Sequence, residues 1–185
     1  MKKSILTILL SGFFLFTALC QDSYIKNRLN FKLAYSRYNN GWYSGMSSES
    51  QRMGNYRLEA NYGVTRHIET GLYAGFSSYQ SMTNYWSYGI NANYHLLPFI
   101  IDSDNFRFDL YFAGKFGGWT SYFTLNNSFS SIDYSHRSPL KLEYGFGPGV
   151  SFYLWKHLGI FTEYCFGKYY YKENSNLRYG LTLKF

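Results

Sequence analysis

Residues 177–185 read Leu-Arg-Tyr-Gly-Leu-Thr-Leu-Lys-Phe, and this stretch shows the pattern that decides the fold. Apolar side chains occupy every second position, while charged, polar or small residues occupy the positions between them. A period of two residues is typical of a β-strand whose two faces meet different surroundings. The stretch therefore predicts a strand with one apolar and one polar face, ending on the aromatic Phe185.

The same alternation recurs in seven earlier segments of the chain. They span residues 29–36, 56–64, 68–76, 88–95, 106–116, 140–154 and 160–167. None of the apolar faces carries a charge, although charged residues make up 16% of the chain. The opposite faces carry twelve charged residues: Lys32, Arg57, Glu59, Glu69, Arg107, Asp109, Lys115, Lys141, Glu143, Glu163, Arg178 and Lys184. The pattern predicts an all-β fold of eight antiparallel strands with a strict separation of charge.

The beginning of the chain has the organisation of a secretory signal peptide. Two lysines precede a short apolar stretch, and small residues stand at the −3 and −1 positions of a cleavage site before Gln21. We therefore expect residues 1–20 to be removed and residues 21–185 to form one domain. An alternative makes Cys20 the lipidated first residue of a lipoprotein. Removal of 1–20 lowers the net charge of +7 by two and leaves Cys165 without a partner for an intramolecular disulfide.

The connections between the segments differ in length. Turns near residues 65–67 and 155–157 are minimal, whereas longer polar stretches are predicted as loops. These loops span residues 37–55, 77–87, 117–139 and 168–176. In an even-stranded meander, the long loops share one end of the sheet and the chain termini share the other. Transmembrane β-barrels have this layout, with long loops outside the cell and short turns in the periplasm.

An apolar strand face fits either a soluble barrel, where it points inward, or a membrane barrel, where it meets lipid. The mean hydropathy of −0.30 excludes a helical membrane protein but not a barrel. Strand length, glycine on the charged faces and aromatic residues near the strand ends favour the membrane barrel. The aromatic residues predicted to form interfacial girdles are Tyr38, Trp42, Tyr85, Trp86, Trp119, Trp155 and Tyr169 to Tyr171. We predict an up-and-down transmembrane β-barrel.

Residues 177–185 resemble the C-terminal strand of bacterial outer-membrane β-barrels, and the mature chain is similar to the small eight-stranded barrels of the OmpA/OmpX type. The resemblance implies an outer-membrane protein in contact with lipid and lipopolysaccharide, with both termini in the periplasm. It also implies that the barrel-assembly machinery reads a signal formed by Tyr179, Leu181, Leu183 and Phe185. Gln21 after the cleavage site resembles exported proteins of Bacteroidetes. We expect a monomer without cofactors.

The charged faces would line the lumen, and two functions remain open for them. Buried charges persist when they are paired and hydrogen-bonded, so a structural salt-bridge network in a closed barrel is one interpretation. The other is a narrow ion-conducting channel. A structural or envelope role is favoured, together with ligand binding through loops 37–55 and 117–139, whose Tyr, Ser, Asn and Gly are typical of adaptable recognition surfaces.

The residues also bear on three further functions. His136 and Ser138 resemble the His-x-Ser pair of lipid A deacylases of the PagL type. Such a pair needs an acidic residue to orient the histidine, but Glu143 is predicted on the opposite face of the strand. His67, His95 and His157 have no metal-ligand spacing, so they are interpreted as interfacial polar residues and no metal site is predicted. The chain has no basic cluster, and binding of nucleic acid is not expected.

Overall fold

The computed structural model of the protein describes residues 25–39, 52–79, 83–99, 107–125, 134–169 and 172–185. The strands are β1 (Leu29–Asn39), β2 (Arg52–Gly63), β3 (Ile68–Tyr79), β4 (Thr83–His95), β5 (Phe108–Leu125), β6 (Tyr134–Arg137), β7 (Lys141–Tyr153), β8 (Leu158–Tyr169) and β9 (Lys172–Lys184). A short 3-10 turn covers Leu97–Phe99. The predicted leader, the cleavage site before Gln21 and Cys20 lie outside the described residues.

Eight of the strands form a sheet that closes on itself. Its order is β1, β2, β3, β4, β5, β7, β8 and β9, and β9 pairs back to β1. All pairings are antiparallel. This confirms the predicted eight-stranded, up-and-down barrel. Strand β6 is an addition that pairs with the far part of β5, where Tyr122 faces Arg137 and Leu125 faces Tyr134.

The two faces of the sheet follow the predicted parity, with the charged face inward. On β7, Glu143 and Tyr153 are buried, whereas Leu142, Phe146 and Phe152 are exposed. A water-soluble barrel would bury these apolar side chains in its core. The arrangement of this chain is instead that of a membrane barrel, in which the outer surface is apolar and the interior is polar.

The strands are longer and the connections shorter than predicted. The predicted loop 77–87 is reduced to the three residues between β3 and β4, and 168–176 to the two residues between β8 and β9. The predicted loop 117–139 contains the last part of β5 and all of β6, while 37–55 contains the end of β1 and the start of β2. These boundaries were wrong because apolar alternation ends where lipid contact ends, whereas backbone pairing continues in polar hairpins.

The two ends of the barrel differ. One end carries Arg28, Phe185, the turns 64–67 and 154–157 and the connection 96–107, and we call it the terminal end. We call the opposite end the hairpin end. At the terminal end, the Leu29 amide donates to the Phe185 carbonyl at 2.9 Å and the Phe185 amide donates to the Leu29 carbonyl at 2.8 Å. Among the described residues, no helix is long and apolar enough to cross a bilayer.

A charged residue on the outer surface tests whether that surface meets hydrocarbon. Replacing the exposed Leu33 of β1 by Arg should lower the free energy of unfolding from vesicles by about 2–4 kcal/mol, because a cation would enter the bilayer centre. Leu154→Arg, in an exposed turn at the terminal end, should cost only about 0–1 kcal/mol. Denaturant titration measures both values, and equal small losses would indicate a surface in contact with water.

Candidate functional site

The barrel interior is the candidate site, because it holds a concentration of buried charged side chains. Two of the twelve predicted lumen charges lie elsewhere. Arg107 is exposed, because β5 begins only at Phe108 and the alternation does not include the preceding bend. Lys141 is half-buried at the hairpin end, with its Nζ atom 5.3 Å from the centroid of the Trp119 ring. The ten buried charges are Lys32, Arg57, Glu59, Glu69, Asp109, Lys115, Glu143, Glu163, Arg178 and Lys184.

Four of these residues form a continuous series of salt bridges that we call the charge belt: Lys32, Glu163, Lys115 and Glu59. The Nζ atom of Lys32 lies 3.1 Å from Oε1 of Glu163, and that of Lys115 lies 2.8 Å from Oε2 of Glu163. Lys115 also pairs with Glu59, and the Tyr111 hydroxyl donates to Glu163 at 3.0 Å. Each of these salt bridges joins strands that are not neighbours in the sheet, so the charge belt crosses the lumen.

A separate salt bridge also crosses the interior. Arg57 of β2 pairs with Glu143 of β7, and its Nη2 atom donates to the Ser87 hydroxyl at 3.4 Å. The guanidinium carbon lies 4.3 Å from the centroid of the Tyr73 ring, a cation–π contact. Gly117 leaves space for this ring, because a Cβ atom there would lie 2.5 Å from the Tyr73 hydroxyl. Aromatic rings and salt bridges therefore fill the lumen together.

His95 lies in a third group of buried polar side chains, nearer the terminal end. Its Nδ1 atom is 2.9 and 3.0 Å from the two carboxylate oxygens of Asp109, so this nitrogen carries the proton that is donated. Its Nε2 atom lies 3.7 Å from Oε2 of Glu69, which accepts a hydrogen bond from the Asn93 amide at 2.8 Å. The interpretation of His95 as an interfacial residue was wrong. His95 is two residues after Asn93 on the same strand, so both side chains lie on the inward face.

An aromatic cap closes the interior toward the hairpin end. Trp119, Cys165 and Tyr169 are fully buried and pack together, with Tyr85 against them. The rings of Tyr85 and Trp119 have centroids 5.9 Å apart. Tyr85, Trp119 and Tyr169 were predicted to form part of the interfacial girdle. Trp119, however, is four residues after Lys115 on the same strand and lies on the same inward face. Their position shows that aromatic residues near strand ends serve the interior as well as the lipid interface.

The predicted assembly signal lies on β9 and the residue that follows it. Tyr179, Leu181 and Leu183 are exposed on the outer surface. Phe185 is half-buried, and its ring stacks on His157 with a centroid distance of 5.7 Å. His157 in turn donates from Nδ1 to the Lys184 carbonyl at 2.7 Å. The apolar row is thus accessible from the lipid side, while recognition by the assembly machinery stays a prediction.

The residues of the hydrolase hypothesis are not brought together in the described part of the chain. The Ser138 hydroxyl accepts from the Ser121 amide at 2.9 Å and lies 3.0 Å from the Ser121 hydroxyl. Glu143 is paired with Arg57 inside the barrel. The backbone of His136 pairs with Phe123, but its side chain lies outside the described residues.

The remaining histidine is not part of a recognisable site. His67 stacks on Phe99 with a centroid distance of 4.0 Å at the terminal end. Within the described ranges, no group of three or more His, Cys, Asp or Glu side chains is arranged to hold a metal ion. His67 and Phe99 form an aromatic contact of the kind common at a lipid interface.

Comparison with known proteins identifies solved structures with a similar fold. No protein-family model and no curated protein matches the sequence. Among solved structures, the N-terminal β-barrel domain of Pseudomonas aeruginosa OprF is 17% identical, with a TM-score of 0.57 over 86% of this chain and 98% of that one. Neisserial surface protein A is 15% identical, with a TM-score of 0.57 over 85% of this chain and 96% of that one. A de novo designed transmembrane β-barrel is 11% identical, with a TM-score of 0.50 over 89% of this chain and 98% of that one.

These similarities define the class of the fold. The chain has the closed, eight-stranded barrel of small outer-membrane proteins, as its terminal strand implied. At these identities, the similarity concerns the fold alone.

Removing one carboxylate from the charge belt should destabilise the barrel strongly. Glu163→Gln should lower the free energy of unfolding by about 3–5 kcal/mol, because Lys32 and Lys115 would keep buried charges without this partner. Lys168→Gln, on the exposed face of the same strand, should change it by no more than about 0.5 kcal/mol. Denaturant unfolding in vesicles gives both values.

A second substitution separates charge from packing. In the Glu163→Gln background, Lys32→Met removes one of the uncompensated cations at similar length and should restore part of the lost stability. Failure of Lys32→Met to restore any stability, with an intact wild-type control, would show that the charge belt is not the cause of the loss.

Proposed function

We propose that the protein is an integral outer-membrane barrel with a closed interior, which serves as a non-enzymatic envelope component and as a scaffold for its surface hairpins. The charge belt is the observation that carries this proposal, since its salt bridges join non-adjacent strands across the lumen. An eight-stranded barrel is just wide enough for side chains to fill it. Cross-lumen pairs of this kind would obstruct a continuous water column.

The outer surface supports a location in the outer membrane. Large apolar side chains such as Leu58, Ile90 and Leu181 are half or more exposed along the strands, where lipid would cover them. In this orientation the hairpin end faces outward, where lipopolysaccharide surrounds it, and both termini are periplasmic. Strand β9 presents Tyr179, Leu181 and Leu183 to the lipid side, where the barrel-assembly machinery would meet them. The protein functions as a monomer in this proposal.

Surface binding is proposed for the hairpins rather than for loose loops. Strand β5 has 18 residues, more than any other strand, and pairs with β6 beyond its contact with β7. The guanidinium carbon of Arg137 lies 5.3 Å from the centroid of the Tyr122 ring at this site. Such a paired platform, within the region 117–139, would hold its side chains in place with little loss of entropy on binding. The paired ends of β1 and β2, within the region 37–55, contribute a second binding surface.

A non-enzymatic role is supported by the bonds of Ser138. Its hydroxyl accepts the Ser121 amide and so secures the junction between β5 and the β6–β7 segment. Glu143 is bound to Arg57 rather than available to orient a histidine. Production of the protein should leave the mass spectrum of lipid A unchanged, and loss of an acyl chain that Ser138→Ala abolishes would identify a hydrolase instead.

Conductance in planar bilayers distinguishes a closed barrel from a channel. The wild-type protein should be silent, whereas the double variant Lys115→Ala/Glu163→Ala should show discrete openings, because all three salt bridges of the charge belt and the space they fill are lost. The remaining Lys32 and Glu59 face each other on adjacent strands and can pair. Lys168→Ala is the matched surface control. Stable openings of the wild-type protein would contradict the closed state and support the narrow channel.

A further inference from the structure

The outer surface contains one groove that the closed-barrel function does not explain. It has a volume of about 680 Å³ and lies across β3, β4, β5 and β7. Sites for small molecules span roughly 300–1,000 Å³, so the groove is large enough for an ordered ligand. The small residues Thr70, Ala92 and Gly114 stand opposite one another on adjacent strands, and Leu72, Ile90 and Phe116 form the next row.

Close packing of the barrel does not require a glycine at position 114. A Cβ atom on Gly114 would meet its nearest neighbour, the Ala92 carbonyl oxygen, at 3.7 Å, which is an ordinary contact. At each of the other described glycines, a Cβ atom would approach a neighbouring atom within 3.3 Å. The barrel therefore tolerates a side chain at this position sterically. The absence of one leaves space on the outer surface only.

The depth of the groove decides the chemistry of its occupant. Strand β3 begins at Ile68, so Thr70 lies roughly 7 Å along the strand from its start at about 3.3 Å per residue. The hydrocarbon half of a bilayer is about 15 Å thick, so the groove lies within the acyl region of one leaflet. The groove is surrounded there by hydrocarbon chains. Because lipid chains are as apolar as the groove, close packing rather than the hydrophobic effect must determine whether one chain is held in place.

Basic residues lie beneath the groove at the terminal end. Arg66 precedes β3 and Arg107 precedes β5, and both are exposed. Cations at the lipid headgroup level attract acidic phospholipids. The exposed arginines and the apolar groove therefore both fit an acidic phospholipid.

We propose that the groove formed by Thr70, Ala92 and Gly114 with Leu72, Ile90 and Phe116 binds one acyl chain of an acidic phospholipid, whose phosphate lies near Arg66 and Arg107. The proposal rests on the membrane-embedded barrel proposed above. Its occupant comes from the leaflet that surrounds the terminal end. We favour a phospholipid over a second copy of the chain, because the exposed Leu72 and Phe116 of the groove can pack against a flexible acyl chain while the arginines at the terminal end attract a phosphate.

Native mass spectrometry of protein released from vesicles of equal dioleoyl phosphatidylglycerol and dioleoyl phosphatidylcholine tests the proposal. The wild-type barrel should retain one phosphatidylglycerol molecule under activation that strips the others. Gly114→Phe and, separately, Ala92→Leu should abolish this retention by filling the groove. The Ala74→Phe variant, which changes an exposed small residue of β3 outside the groove lining, should retain the lipid as the wild type does.

The headgroup contact has its own test. Arg66→Gln and Arg107→Gln should each reduce the preference for phosphatidylglycerol over phosphatidylcholine by about fivefold. Lys26→Gln, a basic residue at the same end but beside β1, should leave the preference unchanged. Equal retention by the wild type and Gly114→Phe would overturn the proposal, as would a wild-type dimer that Gly114→Phe dissociates.

Heat-dependent migration on a denaturing gel identifies the cause of a negative result. Folded barrels should migrate faster before heating, in the wild type and in every variant used. A wild-type protein that never inserts into vesicles would refute the membrane barrel itself. Insertion of all variants with equal lipid retention would refute the phospholipid site alone.

Discussion

Backbone pairing is the constraint on which the rest of this structure depends. In hydrocarbon, an N–H or C=O group without a partner costs several kcal/mol, so each membrane-spanning strand needs a neighbour on both sides. Pairing of β9 with β1 meets that requirement with eight strands. Eight strands enclose only a narrow interior, and the charged side chains directed into it must then neutralise one another. The cross-lumen pairs Lys115–Glu59 and Arg57–Glu143 are consequences of closure at this size.

Much of the fold could be predicted from the sequence because a strand has a period of two, and lipid and lumen impose opposite demands on its two faces. Residues such as Leu181 and Arg178 therefore reveal their sides without any knowledge of tertiary structure. The choice of membrane over water came from glycine on the charged face and from the terminal strand. Hairpin boundaries could not be predicted in the same way, since β5 continues to Leu125 where lipid no longer dictates the pattern.

The interior was predictable in composition but not in pairing. Parity places Lys32 and Glu163 on the inward face, yet their contact depends on strand stagger and tilt, which join β1 and β8 across the lumen. His95 was misjudged because its place near a strand end outweighed its parity in the interpretation. The same error assigned Trp119 to the lipid interface. In both cases the alternation itself contained the correct answer, and position along the strand was the misleading cue.

The hydrogen bonds between Leu29 and Phe185 have a consequence for biosynthesis. The first and last residues of the barrel are partners, so the ring can close only when β1 and β9 are both in place. Until then, β1 and the strand at the other edge of the sheet are open edges that could pair with any other extended chain. Contacts between such distant positions also form slowly. Assembly of this barrel thus includes an interval in which an unfinished sheet needs protection, and that interval lasts until β9 pairs with β1.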